Sequence, residues 1–169
     1  MRVEISRITG LNLKQIEFST NAYGKPFLVN CPEIHFNLSH AGNYIACATH
    51  SYPVGIDVEV IEGIDLMIAE RFFAKDEIKY IFTDSKDSLE QRFFEIWTKK
   101  ESYIKWDGTG LSKLLSSFSV FEHRNYEMIF YHKIFHNFEA ICHTCSSSMK
   151  NPVVRFIDMD MLMQMAYVK

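Results

Sequence analysis

The run Pro53-Val54-Gly55-Ile56-Asp57-Val58-Glu59-Val60 is β-branched and apolar except for two carboxylates. A strand alternates its side chains between faces, so Asp57 and Glu59 point one way while Ile56, Val58 and Val60 point the other. Two anions on one face repel, and aspartate suits strands poorly. That face is either fully wet or built to hold a cation. Oxygen ligands on a rigid strand suit a hard divalent ion such as magnesium.

The chain has 169 residues, 47% of them hydrophobic and 14% aromatic, enough for one sizeable core or two small fused halves. A formal charge of -3 gives no polyanion-binding surface, so nucleic acid is not expected as a partner. No stretch reaches the ~18 uninterrupted apolar residues of a membrane span. Met1-Arg2-Val3-Glu4-Ile5 lacks a secretory apolar region, so a cytoplasmic protein with no membrane partner is expected. Cys142-His143-Thr144-Cys145 has the spacing of half a zinc site, with His132 and His136 upstream. No second ligand pair follows at zinc-finger spacing, which favours ordinary reduced thiols in or beside a strand.

Apolar residues at 5, 8 and 11 predict the end of an amphipathic helix, whose start carries no cap signal. Ile16-Ser19 reads as a brief strand, and Asn21-Pro26 as a turn presenting Lys25. Strands are predicted over 34–40, 44–49 and 54–60, joined by short turns as an antiparallel meander. A helix in two parts spans Ile64 to Ile81, breaking near Lys75-Asp76-Glu77. Four further stretches, 117–121, 126–130, 137–142 and 153–156, read as strands of a second meander.

The helix predicted from Leu89 to Trp106 gathers Leu89, Phe93, Ile96, Trp97 and Ile104 into one apolar stripe. Lys100 projects into that stripe, Glu101 lies on its flank, and Lys105 follows Glu101 by one turn. These residues fit a snorkelling lysine with a surface Glu–Lys pair, and equally a third carboxylate with a phosphate-binding cation.

Taken together, Tyr23-Gly24-Lys25-Pro26, Phe36-Asn37-Leu38-Ser39-His40, Gly55-Ile56-Asp57-Val58-Glu59 and Trp97-Thr98-Lys99-Lys100-Glu101-Ser102-Tyr103-Ile104-Lys105 resemble the Sfp-type 4′-phosphopantetheinyl transferases. Arg71-Phe72-Phe73 and Gly110-Leu111-Ser112 extend the resemblance over nearly the whole chain. It implies an α+β fold of two similar α/β halves related by a pseudo-twofold axis, with antiparallel meander sheets packed on helices. Residues 1–53 would form an incomplete first half, since family members usually carry further residues before the position of Met1, and 54–169 a second half holding most of the metal site. Homo-oligomerisation would then cover apolar surface left open on residues 27–50.

The implied activity is magnesium-dependent transfer of 4′-phosphopantetheine from coenzyme A, the co-substrate, to a serine of an apo acyl or peptidyl carrier protein, releasing adenosine 3′,5′-bisphosphate. By the same resemblance, Asp57, Glu59 and Glu101 are the metal ligands. Lys25 and Pro26 line the adenine and ribose-phosphate wall, Ser39 and His40 contact the phosphates, and Lys105 clamps the diphosphate. Glu77 and Glu101 are rival general bases, with Lys100 expected to orient Glu101. Phe72, Phe73 and Tyr103 are candidates for the carrier groove. Two other readings stand beside this one: a truncated, non-catalytic remnant that binds coenzyme A or a carrier, and an unrelated magnesium phosphotransferase or nuclease.

Overall fold

A computed structural model describes residues 1–122, 129–135, 139–148 and 152–167. In chain order the elements are α1 (Arg2–Thr9), β1 (Phe18–Thr20), β2 (Pro26–Leu28), β3 (His35–Ala41), β4 (Tyr44–His50) and β5 (Val54–Val60). They continue with α2 (Leu66–Phe72), α3 (Lys75–Ile81), α4 (Leu89–Asp107), β6 (Ile129–Phe135), β7 (Ala140–Ser146) and α5 (Met159–Tyr167). Among the described residues the fold is α+β, and every strand pair is antiparallel. Among the described residues no helix is long and apolar enough to cross a membrane.

The first predicted meander is half right. β3 and β4 form the expected hairpin, but β5 leaves it and pairs with β7 in a three-stranded sheet of order β5-β7-β6. β5 still lies beside β3, joined there by a side chain, since buried Asn37 Oδ1 accepts a hydrogen bond from Ile56 N at 2.8 Å. The reason is burial: Val54 to Val58 are enclosed on both faces, so β5 needs a cover on each side. Ile56 and Val58 pack with Cys142 against Tyr44, Ala46 and Ala48 of β4. The opposite face receives α4, which contributes Lys105 and Trp97 to Asp57 and Glu59.

The second meander is also corrected. Residues 117–121 end a 3-10 turn and enter another turn, and 153–156 have no regular structure. The hairpin β6–β7 replaces them, displaced several residues from the predicted strands; Tyr126 to Met128, His136, Asn137 and Phe138 lie outside the described residues. The helical readings fare better. The break falls at Phe73-Ala74, and α4 starts at the Ser88 cap, whose Oγ accepts from Gln91 N, and stops at Gly108 with φ 78°.

α4 carries the main core. Phe93, Phe94 and Ile96 pack with Ala69, Phe73, Ile81, Val120 and Ile141. Gly55 explains how closely this helix approaches β5: a Cβ there would stand 2.0 Å from Ser102 O and 2.3 Å from Trp106 N, both backbone atoms that cannot step aside. Gly55→Ala therefore forces α4 off the strand, with an expected cost of about 3 kcal/mol or more. A urea midpoint unchanged from the parent would contradict that.

A histidine relay, buried at Thr98 and His143 and opening to the surface at His132, crosses the same sheet. Thr98 Oγ1 lies 2.7 Å from Phe94 O and 2.7 Å from His143 Nδ1. The hydroxyl proton must go to the carbonyl, so Thr98 accepts from His143 Nδ1–H. His143 Nε2 is then the acceptor, at 3.0 Å, for His132 Nδ1–H. Burial holds both histidines below their ordinary pKa, His143 well below. Below about pH 6.5 the unfolded chain binds protons that the folded chain refuses, so this contribution to stability is lost as pH falls. Urea unfolding at pH 7.5 and 5.5 should show His143→Asn losing less on acidification than the parent, by about 1–2 kcal/mol.

Candidate active site

Asp57 sits at the centre of the join between β5 and α4, with 3% of its surface exposed. Its Oδ1 accepts from Lys105 Nζ at 2.5 Å and from Ser39 Oγ at 2.9 Å. Lys105 Nζ also donates to Ser39 Oγ at 3.0 Å, closing a triangle. Asp57 Oδ2 is buried and has no hydrogen-bond partner among the described residues. An orphaned carboxylate oxygen is costly, and a bound cation is one way to satisfy it.

The strand's alternation puts Glu59 on the same face, where its Oε1 accepts from Trp97 Nε1 at 3.1 Å. Glu101, one turn along α4 from Trp97, approaches from the helix side. Burial first, then repulsion from Asp57 and Glu59, push the Glu101 carboxyl up to about 7 despite the opposing pull of Lys105. Burial also raises Asp57 and Glu59, with Asp57 adding to the Glu59 shift. Glu59 and Glu101 thus both feel the Asp57 charge. Among the described residues no three His, Cys, Asp or Glu side chains already form a metal cage. The residues nonetheless fit a divalent cation in chemistry: all-oxygen donors, an unpaired buried oxygen and mutual repulsion met by one lysine.

The other predicted residues fall in three places. Lys25 and Pro26 line a cavity of about 340 Å³ shared with Asn21, Phe36, Pro53 and Trp106. Lys25 Nζ donates to Val54 O at 3.2 Å and to Trp106 O at 3.1 Å, and burial lowers its pKa. Ser39 belongs to the Asp57 triangle, while His40, next along β3, is exposed. Glu77 stands apart. It is fully buried, its Oε1 accepting from Val120 N and its Oε2 from Ala74 N, each at 2.8 Å.

Lys100 goes to Glu77 and not, as expected, to Glu101. Its Nζ lies 2.8 Å from Glu77 Oε2 and donates to Leu115 O and Phe118 O, each at 2.7 Å. Burial pulls the Lys100 pKa down, and Glu77 holds the ammonium toward its charged form. Phe73 is core, whereas Phe72 is exposed at the surface. The Cys142 and Cys145 thiols are free, and their odd spacing on β7 points them to opposite faces, so one ion cannot take both. Burial pushes each thiol up to about 12.

Two partners escaped the sequence reading. Trp97, assigned only to the apolar stripe, also donates to Glu59, a role hinted at by an indole N–H that must find an acceptor when buried. Asn37, placed only within the predicted strand 34–40 and the motif around it, carries the bond that seats β5 beside β3.

The fold and the site together define an α+β protein whose strand–helix join gathers three carboxylates around one lysine. Residues 53–156 match the model of the 4′-phosphopantetheinyl transferase superfamily, and residues 1–52 match that of the 4′-phosphopantetheinyl transferase N-terminal region. The chain is 45% identical over 125 residues to the 4′-phosphopantetheinyl transferase Sfp of Bacillus subtilis (strain 168), covering 74% of this chain and 56% of that relative. It is 44% identical over 116 residues to psf-1 of Bacillus pumilus, covering 69% and 50%. It is 38% identical over 130 residues to gsp of Aneurinibacillus migulanus, covering 77% and 54%. Both of these relatives are also named 4′-phosphopantetheinyl transferases. The chain belongs to the 4′-phosphopantetheinyl transferase superfamily, and it spans about half the length of the curated relatives it matches.

Proposed function

We propose that this chain transfers 4′-phosphopantetheine from coenzyme A to a serine of an apo acyl or peptidyl carrier protein, releasing adenosine 3′,5′-bisphosphate. The observation that carries the reading is the Asp57–Glu59–Glu101 cluster facing Lys105 in a chain of this family. Residues 1–53 and 54–169 then represent the two pseudo-twofold halves.

Asp57, Glu59 and Glu101 would hold magnesium, which when bound neutralises charge on the diphosphate of coenzyme A. Lys25 and Pro26 offer the wall of the 340 Å³ cavity to the nucleotide end. Ser39, His40 and Lys105 present hydrogen-bond donors and positive charge toward the phosphates. The acceptor serine loses its proton as its oxygen attacks the β-phosphorus, and the bond from that phosphorus to the bridging oxygen breaks. Glu77, with both oxygens taken by backbone amides and Lys100, is poorly placed to receive that proton, which supports Glu101.

The test is incubation of the chain with coenzyme A, magnesium and an apo carrier protein, followed by intact-mass measurement of the carrier. A gain of one phosphopantetheine group is expected. A carrier that is bound but unmodified would favour the non-catalytic reading instead.

A further inference from the structure

We propose that Lys105 is a placeholder cation: its ammonium group occupies Asp57 until a divalent ion displaces it, so that ion and diphosphate load as one event. This rests on the assignment of Asp57, Glu59 and Glu101 as metal ligands, and it adds a role for Lys105 before substrate arrives.

The geometry points there because Asp57 is only half used. Oδ1 is taken twice, by Lys105 Nζ at 2.5 Å and Ser39 Oγ at 2.9 Å, while buried Oδ2 has no hydrogen-bond partner among the described residues. A small hard ion needs oxygens free of competing cations. It can reach Asp57 fully only after Lys105 lets go.

Exposure decides which partner moves. The Asp57 side chain is 4% exposed and fixed on a strand, whereas the Lys105 side chain is 29% exposed and flexible along its four-carbon stem. Lys105 therefore has a way out and Asp57 has none. Once released, the ammonium group stays tethered one turn from Glu101 on the same helix, within side-chain reach of whatever anion the ion holds. A diphosphate would give it a new partner of the sign it has just lost. Binding of ion and of diphosphate should consequently be coupled through this one side chain, each favouring the state the other needs.

Manganese is the probe, with free ion followed by electron paramagnetic resonance in the absence of coenzyme A. Lys105→Met should bind Mn2+ about tenfold more tightly than the parent chain, and coenzyme A should tighten Mn2+ binding less in the variant than in the parent. Equal or weaker Mn2+ binding by Lys105→Met would overturn the proposal. So would a Mn2+-loaded crystal structure in which Lys105 Nζ remains on Asp57 Oδ1. Asp57→Asn distinguishes the deeper failure: if it binds Mn2+ as well as the parent, Asp57 is not a ligand and the metal assignment falls with the placeholder. Should Lys105→Met not fold with Asp57 left bare, Lys105→Gln keeps a polar contact and permits the same comparison.

Discussion

Glu101→Gln is expected to lower carrier modification by about 10²–10⁴-fold while making the protein more stable at neutral pH. The loss follows from the position of Glu101 in the carboxylate cluster, where it is both a proposed ligand and the better placed of the two proposed bases. The gain follows from its raised pKa of about 7. Between about pH 4.5 and 7 the folded chain keeps a proton that the unfolded chain releases, so stability falls as pH rises through that window. Above it the folded protein carries an ill-placed charge. Removing the charge should contribute about 1–3 kcal/mol once partial exposure is allowed for, with no gain below about pH 4. Urea unfolding at pH 8 and pH 4 reads the difference. A destabilised variant at pH 8 would show that Glu101 is not under repulsion. The slope is opposite in sign to that of the His132–His143 relay, so the parent shows their sum and each variant isolates one.

Glu77→Ala is expected to cost about 3–5 kcal/mol, the loss typical of breaking a buried ion pair by removing one member. The side chain is fully enclosed with Lys100, and its departure also strands Val120 N and Ala74 N. Glu77→Gln keeps an acceptor for Val120 N and should cost less. Mn2+ affinity of whatever folds should stay close to that of the parent. Circular dichroism during urea unfolding, paired with Mn2+ titration, separates the outcomes. A fully stable Glu77→Ala with slow turnover would return Glu77 to the chemistry; a stable, active one would remove it from both roles.

The sequence exposed those parts of the molecule that depend on local rules. Alternation along residues 54–60 put Asp57 and Glu59 on one face, and helical spacing brought Lys100 into the apolar stripe and Glu101 to its flank; the structure keeps both arrangements. Pairing over long separations was not legible. β5 takes β7 as its neighbour some eighty residues later, and no turn signal near Pro53 announces that choice. The same limit hid the partner of Lys100, because nothing local says that a helix lysine will meet Glu77 in preference to the adjacent Glu101. α5 escaped the reading, and its exposed Met159, Met161 and Met163 carry little of the core that would have marked it.

Lys100 and Glu101 are neighbours in the chain with opposite assignments, one locked inward on Glu77 and the other turned to the β5 carboxylates. They can differ so sharply because consecutive helix residues stand about 100° apart. A one-residue insertion or deletion between Thr98 and Lys105 would rotate everything beyond it by that angle. The interior would then receive the wrong side chain and the site would lose its own. Length is therefore fixed along this stretch as firmly as identity, whereas the exposed link at 83–86, ahead of the Ser88 cap, is free to grow or shrink.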